Sequence, residues 1–140
     1  MYKVTDEIYR SGRPSYIPGG FKTVISLEND ESIVAQERIW CDNLGIKFIN
    51  VPLSESARSL PSILIYIAHL MSTEMQPLLI HCKHGQDRTG YAVAAYRMMT
   101  QKWTFEKAWK ECREYGHKWL FYFWWKQSLK EIARIYNAKR

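Results

Sequence analysis

The sequence predicts an α/β fold in which a mostly parallel central sheet is flanked by helices. Strand-like and helix-like segments alternate through residues 8–82, the pattern of strands joined by helical crossovers. An apolar run, Leu78-Leu79-Ile80, ends in His81-Cys82, passes through a glycine-bearing turn and opens directly into an Ala-rich helical pattern. A ligand site at the carboxyl end of a central strand suits that architecture. The 140 residues, 46% of them hydrophobic, can bury a core as one domain, 1–140, and no repeat, low-complexity tract or linker interrupts them.

Taken in order, strands are expected at 8–11 and 22–27, the second from the run Lys22-Thr23-Val24-Ile25-Ser26-Leu27. Asn29-Asp30 can cap a helix over 31–44, with Ile33, Trp40 and Leu44 on one side and Val34 and Cys41 close by. A strand over 46–51 follows, then a helix over 60–74 that opens near Ser59-Leu60-Pro61, where a first-turn proline is tolerated. Its apolar face is Ile63, Ile67, Leu70 and Met71. After the strand at 77–82, helices are expected over 89–101, from Thr104 to a stop at Gly116, and over 118–137. Phe105, Ala108, Trp109 and Cys112 share one face of the second of these.

The densest chemistry lies in His81-Cys82-Lys83-His84-Gly85-Gln86-Asp87-Arg88-Thr89. A thiol and a guanidinium stand five residues apart around a helix start. The N–H groups of residues 83–88 can converge on an anion as helix starts and nests do. Arg88 can grip two oxygens with its planar fork, and Gly85 lets the backbone approach a ligand closely. A thiol at a helix N-terminus beside a cation also ionises more readily than a free one, which makes Cys82 a candidate nucleophile. Cys41 and Cys112, outside any such constellation, are expected to be buried small hydrophobes.

This segment resembles the His-Cys-x5-Arg-Ser/Thr loop of the cysteine-dependent protein tyrosine phosphatase superfamily, with His81, Cys82, Gly85, Arg88 and Thr89 at its fixed positions. Three further stretches are similar to the compact atypical dual-specificity branch, which includes inositol-phosphate phosphatases and phytase-like members. They are Ile8-Tyr9-Arg10-Ser11-Gly12-Arg13-Pro14, the run 21–27, and Gly45 to Leu53. The resemblance implies a tyrosine-phosphatase-like fold and a single phosphatase domain. It implies hydrolysis of phosphate monoesters through a phosphocysteine on Cys82, with Lys83, His84, Gly85, Gln86, Asp87 and Arg88 around the phosphate. Thr89 would then hydrogen-bond the Cys82 sulfur, and His81 would orient the loop from behind. The general acid of this superfamily is typically an aspartate on a loop after an earlier strand. Residues 52–59 contain no aspartate, so the candidates are Glu55, the carboxylate of that loop, and Asp87, placed as in the myotubularin loop.

A net charge of +6 favours anionic partners. Lys83 and His84 can face a substrate with more than one phosphate, so an inositol polyphosphate is the expected substrate class and a phosphoprotein the alternative. Lys22, Lys47, Arg58, Arg10 and Arg13 are further candidates for the rim, although most surface lysines are solvated bystanders. No RNA-binding motif accompanies the charge, so no nucleic-acid partner is expected. Three widely spaced cysteines and four histidines give neither a disulfide framework nor zinc spacing, and no metal or cofactor is expected. A catalytically silent phosphate-binding module and a thiol-based arsenate reductase are the competing classes.

No apolar run approaches the length of a membrane span, and residues 1–6 do not read as a signal peptide. A cytoplasmic location is expected for a complete chain and export for one that has lost a leader. The last helix is unusually aromatic. Phe121, Trp125, Leu129, Ile132 and Tyr136 form one stripe for the core, while Trp119, Tyr122, Phe123 and Trp124 exceed it. Core packing is expected for this surplus, with a homodimer through the aromatic helix as the alternative and weak contact with anionic lipid as a lesser one.

Overall fold

The computed structural model describes residues 1–54, 61–85, 87–115 and 122–137, with the side chains of Asp87, Tyr122 and Asn137 left aside. The chain divides into two compact units, Met1–Ser54 with Glu74–Thr89, and Glu55–Thr73 with Gly90–Arg140.

The first unit contains strands β1 (Tyr2–Lys3), β2 (Ile8–Ser11), β3 (Thr23–Ser26), β4 (Lys47–Asn50) and β5 (Leu78–His81), helix α1 (Glu31–Leu44) and the start of a second helix at Asp87. The strands lie in the order β1-β2-β5-β3-β4. Four of them run parallel, as expected; β1, which the sequence did not announce, pairs antiparallel with β2. β3 and β5 are buried at every residue, which is why apolar residues stand side by side in them, Val24-Ile25 and Leu78-Leu79-Ile80, instead of alternating with exposed ones. Val24 and Leu79 from these strands join Ile17, Cys41 and Ile46 in a core that Tyr9, Phe21, Trp40 and Phe48 pack against.

Asp30 caps α1, its carboxylate accepting from the N–H groups of Ser32 and Ile33, and Gly45 ends the helix in the left-handed region at φ 69°. The inward side of α1 differs from expectation. Its buried residues are Glu37 and Cys41, and Leu44 is exposed. The apolar pattern was misleading because a carboxylate with an internal partner occupies the centre of the buried side.

The second unit contains α2 (Pro61–Thr73), most of α3 (Asp87–Thr100), α4 (Phe105–Glu114) and α5 (Tyr122–Asn137). In α2 the buried face is Leu64, Ile67, Ala68, Leu70 and Met71; Ile63 faces outward, correcting the expected stripe by one residue. Thr104, where the helix was expected to start, instead caps α4 by accepting from the Lys107 N–H, and Ala108, Trp109 and Cys112 are buried on it. The rings of Trp125, Tyr91, Trp109 and Phe105 form a near-parallel column with successive centroids 4.6, 6.4 and 6.1 Å apart. Leu129 and Ile132 continue the buried stripe of α5, while Phe123 and Trp124 are exposed. The expected stop at Gly116, and Lys118, Trp119 and Phe121, lie outside the described residues. Among the described residues no helix is long and apolar enough to cross a membrane.

Candidate active site

The parallel register brings the carboxyl ends of four strands onto one line. Ser11 and Ser26 both lie opposite His81, and Ser26 lies opposite Asn50. The segments leaving these strands therefore meet at one edge of the sheet, and the 82–88 loop leaves from the central strand. Asn50 bridges this edge by donating its amide to the carbonyls of Ser26 and Glu28, each at 3.0 Å.

Cys82 follows β5 directly and is buried, with Lys83 and His84 exposed beside it. Gly85 has φ +72°, a conformation that disfavours any side chain. A Cβ there would also fall 2.5 Å from the backbone of Ser11 and Gly12, so the loop rests on the segment after β2 with no space between. The Arg13 N–H donates to the Lys83 carbonyl at 3.0 Å. Arg10 is buried and donates from Nη2 to the Gly85 carbonyl at 3.1 Å.

Arg88 stands in the first turn of α3, buried within a shell of backbone oxygens. Its Nη1 donates to Leu53 O at 2.9 Å and Leu27 O at 3.3 Å, with Asn29 Oδ1 at 3.5 Å. The segments that follow β3 and β4 thus fix the guanidinium plane, and a fixed planar fork is the element a tetrahedral oxyanion requires. Thr89 Oγ1 is buried and makes no hydrogen bond among the described residues, so the bond expected to the Cys82 sulfur is not formed.

Behind the loop lies a buried polar chain. His81 Nε2 is 2.6 Å from Glu37 Oε2, and Nδ1 is 3.5 Å from the Cys82 carbonyl and 3.9 Å from Glu28 Oε2. Glu28 in turn accepts from Arg13, through Nη2 at 2.5 Å and Nε at 2.9 Å, and this bond holds the guanidinium above its ordinary range. The donor atoms of Glu28, Glu37 and His81 lie within 4.8 Å of one another, close enough for a metal ion. Arg13 and the His81–Glu37 contact already engage them, so the cluster is accounted for as an internal network.

The positions of the sequence candidates follow from this geometry. Cys82, Lys83, His84, Gly85, Arg88 and Thr89 gather in the loop, with His81 beneath it. Glu55 and Gln86 lie outside the described residues, as does Arg58, and the Asp87 side chain is not described. Arg10 does not belong to a rim, because it is buried under the loop. Lys47 opens β4 and Lys22 immediately precedes β3, at the amino ends of the parallel strands, and Lys47 pairs with Glu74 at 2.7 Å. Neither contributes to the carboxyl edge. Sequence reasoning missed Glu28, Glu37, Asn29 and Asn50. Glu37 carried a signal, a carboxylate spaced three and four residues from Val34 and Cys41 on the apolar side of its helix.

Residues 2–123 match the tyrosine phosphatase family. The dual specificity protein phosphatase TpbA of Pseudomonas aeruginosa is 28% identical over 123 residues, covering 83% of this chain and 54% of its own. The inositol diphosphatase DSP5 of Arabidopsis thaliana is 30% identical over 129 residues, covering 83% of this chain and 62% of its own. This chain therefore spans little more than half the length of the curated relatives it matches. The solved TpbA structure superposes with a TM-score of 0.70 at 21% identity, covering 93% of this chain and 86% of that one. The core catalytic domain of the PP-IP phosphatase SIW14 from S. cerevisiae, in complex with citrate, gives 0.69 at 21% identity, covering 94% and 87%. These superpositions establish a shared fold.

Proposed function

The chain belongs to the tyrosine phosphatase family, and from that membership we propose that it is a cysteine-dependent phosphatase, with residues 1–140 as one catalytic domain, acting on inositol polyphosphates. The observation that carries the reading is the loop from Cys82 to Arg88 at the carboxyl edge of β5, with Arg88 locked by Leu27 and Leu53. In the first step the Cys82 thiolate attacks phosphorus, the ester P–O bond breaks, and the departing oxygen takes a proton from the general acid. In the second, water attacks the phosphocysteine, its proton passes to the conjugate base, and the P–S bond breaks to release inorganic phosphate. Most of the rate comes from holding three phosphoryl oxygens against fixed N–H groups and the Arg88 fork.

Exposed Lys83 and His84 at the loop, and the net charge of +6, support a substrate with several phosphates. So do the names of the Arabidopsis and yeast relatives, an inositol diphosphatase and a PP-IP phosphatase. Phosphotyrosyl protein is the second reading, supported by the similarity to a dual specificity protein phosphatase. Exposed Phe123 and Trp124 on α5 support self-association through that helix.

The test is phosphate release from inositol hexakisphosphate and from a phosphotyrosyl peptide, side by side, with Cys82→Ser as the blank. Faster Cys82-dependent turnover of the inositol compound is expected. Preference for the peptide moves the enzyme to protein dephosphorylation, and residual activity in Cys82→Ser removes the nucleophile. Of the two acid candidates, Glu55→Gln is expected to slow poor leaving groups most and p-nitrophenyl phosphate least. The same selective pattern in Asp87→Asn alone transfers the role to Asp87.

A further inference from the structure

We propose that Arg10 is a positioning residue for the oxyanion cradle, acting through the Gly85 carbonyl. The inference rests on the reading of residues 82–88 as an oxyanion-binding loop. Arg10 lies on β2 opposite Ile80, in the strand next to β5, which Cys82 follows. It is only 1% exposed, and a guanidinium withdrawn from water is costly unless hydrogen bonds compensate it. The bond it makes here, Nη2 to Gly85 O, crosses 75 residues of sequence to reach the middle of the loop.

A trans peptide unit points its C=O and its N–H in opposite directions. A carbonyl held toward β2 therefore turns the N–H of the same peptide unit away from β2. The Arg13 N–H imposes this on the Lys83–His84 unit, and Arg10 holds the Gly85 carbonyl toward β2 from the same segment. Two alternate carbonyls of the loop, those of Lys83 and Gly85, are pinned from one segment. Carbonyls anchored on one side are what a backbone anion nest needs if its amides are to face the other. The close approach of Gly85 to Ser11 and Gly12 stops the loop from tilting toward β2. The Arg10 bond stops the peptide unit from rotating. Glycine at 85 is required by φ and is for the same reason easily rotated, so the arginine supplies the restraint that residue lacks.

The experiment measures inorganic vanadate and phosphate affinity of folded protein, as protection of Cys82 from iodoacetate, in wild type, Arg10→Met and Arg10→Lys. Leu129→Ala, a buried truncation in the second unit, serves as a destabilised control. Arg10→Met is expected to weaken both oxyanions by about tenfold to hundredfold, the effect of losing a charged hydrogen bond, with the loss carried into kcat/KM. Arg10→Lys should recover part of it, and Leu129→Ala should leave affinity within about twofold at any loss of stability. If Arg10→Met does not fold, Arg10→Lys carries the test with an expected weakening of about threefold or more. Wild-type affinity in a folded Arg10 variant overturns the inference, as does equal weakening in Leu129→Ala. Failure of wild type to bind either anion instead overturns the reading of the loop itself.

Discussion

Two buried clusters in this chain are built on opposite principles. At the carboxyl edge of the sheet, Arg10, Glu28, Glu37, His81 and Arg88 are nearly inaccessible to water and make directional bonds to one another and to loop carbonyls. In the second unit Tyr91, Trp109 and Trp125 are almost as deeply buried, but they stack face to face and serve chiefly to remove apolar area from water. Charge withdrawn from water is expensive and its pairing seldom repays the cost in stability, whereas aromatic burial contributes directly. The difference teaches where function resides: the cluster that is poor value for stability is the one that fixes orientations a ligand can use.

The largest expected effect lies in the polar cluster. Arg88→Lys keeps the charge but loses the fork and the double tether to Leu27 and Leu53. It should lower kcat/KM by about 100- to 1000-fold, as removal of a preorganised oxyanion donor does, while thermal stability changes little. Steady-state kinetics with p-nitrophenyl phosphate and a melting curve measure the two sides. A large loss of stability with near-normal turnover would break the distinction.

Trp125→Leu is the counterpart in the aromatic column, where the stacked partner Tyr91 lies 4.6 Å away. Loss of ring area and of the stack should cost about 2–3 kcal/mol of folding stability. Urea unfolding measures that cost, and kcat/KM per folded molecule should stay within about threefold of wild type. A selective loss of turnover would show that the column also positions the site.

The contrast also explains what could be read in the sequence. The 81–89 segment was legible because its chemistry is contiguous, and the alternating strands and helices were legible because β3 and β5 carry adjacent apolar residues, Val24-Ile25 and Leu78-Leu79-Ile80. The braces were not, because they join residues remote in sequence. Arg10 reaches Gly85 across 75 positions and Glu37 reaches His81 across 44, and a single sequence offers no register for such pairs. Arg10 looked like a rim cation for that reason. Glu37 was hidden by the opposite assumption, that a carboxylate within an amphipathic helix faces water. The distribution of Leu44 and Ile63 failed for a milder reason, since an apolar residue one position off the buried face costs little when exposed.

Cys41 gives the smallest effect and joins the two principles in one residue. It is packed against Val24, Ile46 and Leu79, yet Glu37 is its neighbour on α1. Burial, and then the charges of Glu37 and Asp42, push its thiol from the ordinary 9.0 up to about 11. In the unfolded chain the thiol gives up its proton near 9, so above that pH the unfolded state binds fewer protons than the folded one. Stability contributed by the neutral buried thiol is therefore fully present below about 9 and is lost progressively as pH rises toward 11. Cys41→Ala removes this titration while leaving Cys82 and Cys112 to cancel in the comparison. Urea unfolding of both proteins under reducing conditions should show a wild-type advantage that is constant from pH 7 to 8.5 and shrinks by pH 10.5. Parallel pH profiles for the two proteins would mean that the unfolded and folded thiols titrate alike, and that the carboxylate of Glu37 acts on His81 alone.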